Sequence, residues 1–164
     1  MHYIDELEVN GQKLYRVPVA SLKDLGLDAA EVTRLTLVAV KSYHKQQVKL
    51  FCAAMRANVT RHADACLLAQ WSSKAQRAER VVAGSPTAAD TEILSSECLH
   101  RDLGETPEQL ATKQNDKNVA QAKKMSLIDG VEKATVLKID GLSEVELAPA
   151  MIEMKIRLKG LLAG

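Results

Sequence analysis

Residues at steps of three and four form one long, largely apolar series in the first half of this chain. Val32, Leu35, Ala39 and Tyr43 lead it, Phe51, Met55, Val59, His62, Cys66 and Leu67 continue it, and Trp71, Ala75, Ala78 and Val82 close it. That spacing keeps side chains on one face of a helix. The 57 residues 27–83 contain neither glycine nor proline, the two residues that most readily end a helix. Asp28 and Glu31 resemble a capping box at its start. The pattern predicts one long helix over 27–83. At about 1.5 Å per residue it would span on the order of 85 Å, against roughly 30 Å for a compact domain of this length. Such a rod bends back or lies against another chain. Its steps average slightly above 3.5, so a strict heptad seam is not implied. Residues 44–49 (HKQQVK) are polar almost all round. With no turn residue among them they read as exposed helix, the alternative being a helical hairpin that folds there.

A different period precedes the rod. Leu7 and Val9 lead into Asn10-Gly11, and Tyr15, Val17 and Val19 follow. Asn-Gly favours a type I′ turn, whose two central residues both need positive φ. The alternation predicts a hairpin with Leu7, Val9, Tyr15, Val17 and Val19 on one face. Two strands alone are marginal in water, so the hairpin should pack on a helix or join a sheet across subunits. Residues 1–26 thus read as a hairpin and connector ending at Gly26.

Gly84-Ser85-Pro86 is a stop signal. Thr87 with Asp90 opens a second helix toward Arg101 or Leu103, and Thr106-Pro107-Glu108 opens a third toward Asp129. Gly130 is read as an interruption. Residues 131–139, with β-branched Thr135, Val136 and Ile139, fit either further helix or a strand. A last amphipathic helix is expected after Pro149, carrying Met151, Ile152, Met154, Ile156 and Leu158 with basic Lys155, Arg157 and Lys159. The expected fold is mainly α. It has one long helix, shorter helices of residues 84–164 packed on the C-terminal half of that helix, and a small N-terminal hairpin.

Composition narrows the function classes. Aromatic residues make up 3% of the chain, so alanine, leucine and valine fill the core, which suits close helix-on-helix packing. Basic and acidic residues number 22 and 21, which speaks against a protein that coats nucleic acid or anionic lipid. Cys52, Cys66 and Cys98 are odd in number and irregular in spacing, as expected of buried reduced thiols rather than a disulfide framework. The first twenty residues carry Asp5, Glu6 and Glu8 and no apolar core of signal-peptide length. No apolar run is long enough to span a membrane. A soluble protein made in a reducing cytoplasm is the expectation.

No constellation points to a reaction. His62 and Cys66 stand four apart and would share a helix face, but no second ligand pair has zinc-site spacing. The cysteines lack the setting of an activated nucleophile. Glu92 with Glu97, and Glu144 with Glu146, read as solvated surface acids. We expect no catalytic, cofactor-binding or metal-binding residues. Lys74, Arg77 and Arg80 lie near one helix face as a candidate phosphate-binding stripe, but Glu79 and the neutral total argue for an ordinary charged surface or for salt links to a partner helix. Trp71, the sole tryptophan, fills a core or anchors an interface.

From Arg56 to Ile139 the chain resembles helical accessory and structural proteins of tailed-bacteriophage tails and tail fibres. The resemblance lies in Arg61, Ala63-Asp64, Trp71, Lys74-Ala75 and Ala78-Glu79, then in Gly84, Ile93-Leu94 and Glu97. It continues through Arg101-Asp102-Leu103-Gly104-Glu105-Thr106-Pro107, Leu110-Ala111 and Ile128-Asp129-Gly130-Val131. It covers about half the chain, and neither the hairpin nor the basic segment after Pro149 has a counterpart in it. It implies a non-enzymatic structural subunit of a tail or tail-fibre apparatus, made in the host cytoplasm and carried in the virion. Its partners would be other tail proteins and further copies of itself, met through Val32, Leu35, Tyr43, Phe51, Met55 and Trp71. The alternatives are a tail-fibre assembly chaperone absent from the mature particle, and a small regulatory or counter-defence protein that binds a host partner.

Overall fold

Asn10 and Gly11 take φ values of 50° and 77°, the left-handed pair that a type I′ turn requires. They join β1 (Tyr3–Val9) to β2 (Gln12–Pro18) as an antiparallel hairpin in which Ile4 faces Val17 and Leu7 faces Leu14. The computed structural model describes residues 2–163. Five helices follow the hairpin: α1 (Ala29–Val59), α2 (Ala65–Val82), α3 (Ala88–Arg101), α4 (Pro107–Gly141) and α5 (Glu144–Ala163). The fold is mainly α with a long α1 and an N-terminal hairpin, as the sequence pattern implies.

The chain divides into two units. The first comprises Met1–Ala54 and Leu127–Gly164, the second Met55–Ser126. The boundaries between these units fall inside α1 and α4.

In the first unit the hairpin packs on the start of α1. Ile4, Leu7, Val17, Leu22, Leu35 and Ala39 are buried together, with Val9, Leu14 and Val32 packed around them. The expected alternation fails in the hairpin: Leu7 and Val17 are buried, but Tyr15 is 66% exposed. Arg16 explains the change, because its φ of 51° interrupts the pleat. Ile4 and Leu7, three apart, can then face one core. Asp28 caps α1 by accepting the Glu31 N–H at 2.7 Å. Residues 44–49 are helical, and Val48 among them is fully buried.

The later part of α4 and all of α5 complete this unit. Lys45 pairs with the Asp140 carboxylate at 2.6 Å, and Lys41 donates to the Asp140 carbonyl at 2.8 Å. Lys138 pairs with Glu153, and the Lys155 ammonium lies 5.6 Å from the centre of the Phe51 ring. These contacts tie α1 to α4, α4 to α5 and α5 to α1. Gly130 does not interrupt α4, and residues 131–139 are helix rather than strand. Thr135 is buried there because its hydroxyl donates to the Val131 carbonyl one turn back, at 2.7 Å. The last helix starts at Glu144, earlier than expected, where the Ser143 N–H and hydroxyl both donate to the Glu146 carboxylate. Pro149 lies inside it. The missing N–H would have met the carbonyl of Val145, a residue 82% exposed, so water can satisfy that carbonyl.

The second unit overturns the continuous rod. Helix α1 ends at Val59, and α2 begins at Ala65. The Arg61 N–H donates to the Asn58 carbonyl and the His62 N–H to the Ala57 carbonyl, the paired bonds of a Schellman stop. Arginine occupies the left-handed position that glycine usually fills, with φ of 52°, and His62 follows at 55°. Asp64 then caps α2 by accepting the Leu67 N–H at 2.8 Å. The other expected boundaries hold: Gly84 closes α2 at φ of 71°, and Thr87 and Asp90 form a capping box on α3. Thr106 and Gln109 exchange the same reciprocal bonds at the start of α4. The apolar core is small: Ala78, Leu94, Leu110 and Ala111, flanked by Val81 and Cys98.

Candidate functional site

The basic stripe of α2 is spent inside the second unit. Arg80 makes a bidentate pair with Asp90, Nε to Oδ2 at 2.8 Å and Nη2 to Oδ1 at 2.7 Å. Arg77 approaches the same carboxylate at 3.8 Å, and Lys74 reaches Glu97 at 3.0 Å. Of the sequence readings, salt links to a neighbouring helix are what α2 and α3 form. Asp90 also accepts the Thr87 N–H at 3.0 Å, so both its oxygens are used. The Arg80 guanidinium first, and the Thr87 backbone second, hold its carboxyl well below the usual carboxylate range. Gln114 of α4 donates to both Glu97 oxygens at 3.3 Å, and Lys113 pairs with Glu105 at 2.6 Å. The Lys113 ammonium first, then the charge of Arg101, lowers the Glu105 pKa. Ion pairs supplement a thin apolar core here.

The sequence-predicted interface residues fall in both units: Val32, Leu35, Tyr43 and Phe51 in the first, Met55 and Trp71 in the second. Leu35 is buried in the first unit's own core and Val32 packs against that core, so neither lies on an open seam. Phe51 is half-buried under Lys155, Met55 is half-buried, and Tyr43 is exposed. Trp71 sits half-buried on α2 in the second unit.

Tyr43 belongs instead to a polar groove between the hairpin and α1. It has a volume of about 270 Å³, and His2, Tyr3, Asp5, Arg16, Ser42, Tyr43 and Gln46 contribute to its lining. The His2 ring meets Tyr43 edge-on at 4.9 Å, and the Arg16 guanidinium lies 5.7 Å from the Tyr3 ring centre. His2 Nδ1 is buried without a hydrogen-bond partner. Burial first, and the neighbouring His2 second, push the His44 pKa down. The sequence offers Tyr43 as an apolar contact and gives no signal for this groove, because the left-handed Arg16 that turns toward it is not readable from residue type.

The remaining candidates disperse. His62 lies in the break after α1 and contacts Asn58 at 3.2 Å, whereas Cys66 lies in the first turn of α2, so they share no helix face. Cys52 is buried, but Cys66 is exposed and Cys98 half-buried, so burial of all three thiols does not hold. No group of three or more metal-ligating side chains converges among the described residues. Among those residues, no helix is long and apolar enough to cross a membrane.

The apolar surface on α5 was only partly legible. Leu147, Ala150, Met151, Met154 and Leu158 are buried, while Val145, Ile152 and Ile156 are 82%, 60% and 66% exposed. At about 100° per residue the two sets lie on opposite sides of the helix. The signal is present in the sequence: apolar residues occupy two interleaved sets of three- and four-residue steps, not one. No family model matches this chain, nor does any curated protein or solved structure.

Proposed function

We propose that this chain is a non-enzymatic assembly protein, a structural subunit of a bacteriophage tail or tail-fibre apparatus. The observation that supports an assembly role is α5, which is apolar on the face it buries and again on the face it exposes. Exposed apolar side chains such as Ile152 and Ile156 gain from removal from water when a partner supplies the cover. The tail setting comes from the resemblance carried by residues 56–139. Under this reading the partners are other tail or tail-fibre proteins, and the chain travels in the virion.

Mass spectrometry of purified particles from a phage encoding this chain tests the reading. Stoichiometric retention in the particle, with loss of assembled tails when the gene is removed, is the expected result. A chain absent from the particle but required for tail formation would make it a chaperone. A chain dispensable for particles would refute both.

A further inference from the structure

We propose that the groove between the hairpin and α1 binds a free α-amino acid in its zwitterionic form, reversibly and without a reaction. The proposal stands apart from the tail reading, which makes no use of this groove.

Register brings two opposite charges to the groove. Ile4 pairs with Val17 and Glu6 with Tyr15, which sets Asp5 across from Arg16 between them. Opposite charges facing each other across two strands attract. Yet these two, which both line the groove, join no ion pair and no side-chain hydrogen bond among the described residues. Arg16, at φ of 51°, lies over the Tyr3 ring instead. A guanidinium stacked on an aromatic ring keeps its N–H edge for a bidentate carboxylate. Left-handed backbone costs free energy in any residue but glycine, and such residues cluster where a ligand is held.

The wall contributed by α1 is polar as well. Ser42 and Gln46 stand four apart, one above the other, and supply a hydroxyl and a carboxamide. His2 closes one side through its edge-on contact with Tyr43, and its buried Nδ1 has no hydrogen-bond partner, an uncommon state for a polar atom.

Charge balance selects the ligand. One guanidinium and one carboxylate that do not pair with each other leave the groove formally neutral but dipolar. A simple anion would meet Arg16 and be repelled by Asp5, and a simple cation would meet the reverse. A zwitterion uses both groups, its carboxylate on Arg16 and its ammonium on Asp5. The volume of about 270 Å³ lies just below the roughly 300–1,000 Å³ of sites for drug-sized ligands, so the ligand is small. Both charged residues are exposed, and exposed ion pairs are weak. The dissociation constant should be on the order of a millimolar.

Titration of the full chain with each of the common L-amino acids at low ionic strength, followed by the ring signals of His2 and Tyr43 in carbon-resolved NMR, gives the test. At least one amino acid should shift these signals to saturation. Acetylating its amine or amidating its carboxylate should each weaken binding about fivefold. Acetate, phosphate and methylammonium should bind more weakly than the amino acid itself. Arg16→Gly removes the guanidinium and suits the left-handed backbone. It should therefore weaken binding at least about fivefold while the chain melts at the same or a higher temperature. Asp5→Asn should weaken the amino acid by a similar factor and leave its N-acetyl derivative unaffected, so that the two then bind alike. Failure of every amino acid to saturate the shifts overturns the proposal. So does acetate or phosphate binding as tightly as the best amino acid, which would make the groove an anion site. An affinity unchanged by Arg16→Gly or by Asp5→Asn overturns it as well.

Discussion

Replacing Gly130 by alanine asks directly whether α4 is continuous where the sequence suggests a break. The structure places Gly130 inside the helix, and a Cβ built there meets no heavy atom within 4 Å. The added methyl should therefore neither clash nor bury new surface. What remains is the backbone cost of glycine in a helix interior, about 0.8–1.0 kcal/mol relative to alanine. For a unit of roughly 90 residues, a gain of about 1 kcal/mol corresponds to a rise of about 4–8 °C in Tm. Thermal and urea unfolding followed by circular dichroism measure the gain. Slower amide exchange at the buried neighbours Ile128 and Val131 would assign it to α4. Gly84→Ala is the matched control: the same methyl, again in open space, but at φ of 71°. There it should cost about 1 kcal/mol, because left-handed backbone crowds a Cβ. If Gly130→Ala is neutral or destabilising, or if both variants shift stability in one direction, the continuous helix is wrong at that point.

Leu94→Ala removes the largest side chain of the second unit's small core together with Leu110, and should cost about 3 kcal/mol. A unit of roughly 70 residues holds only about 4–11 kcal/mol in all, so the urea midpoint followed by Trp71 fluorescence should fall sharply. A loss under about 1 kcal/mol would contradict the burial. Arg61→Gly should stabilise the second unit by about 1 kcal/mol in the same assay, because it relieves a left-handed arginine. Acid titration tests Asp90. Its folded pKa is depressed by Arg80, so its contribution is present above the unfolded carboxyl value of about 3.9 and lost as pH falls through the lower folded value. Trp71 fluorescence should show stability declining below about pH 4, and Asp90→Asn should flatten that part of the profile.

Helix boundaries were legible wherever the sequence uses ordinary capping chemistry. Asp28, Gly84, Thr87 and Thr106 all mark ends that the structure contains. The break at 60–64 was not legible, because Arg61 and His62 adopt left-handed backbone, which is uncommon for residues other than glycine. Asp64 was the available signal, a cap residue lying inside an apparently unbroken stripe. Gly130 misled for the opposite reason: long-range burial of Ile128, Val131 and Ile139 outweighs a local propensity of about 1 kcal/mol. Leu35 was read as an association seam because a helical stripe does not say whether its cover comes from the same chain. The polar groove depends on Arg16 in left-handed backbone, and no spacing rule could place it.

The first unit is assembled from the two ends of the chain with the second inserted between them, which sets an order of events during translation. Residues 55–126 can leave the ribosome and fold while the first unit's part of α1 still waits for α5. At about 5–20 residues per second, the remaining segment takes roughly 2–8 s to synthesise. During that interval the end of α1 that belongs to the first unit, around Phe51, lacks the cover of α5. A nascent chain in that state is a ready client for a holdase.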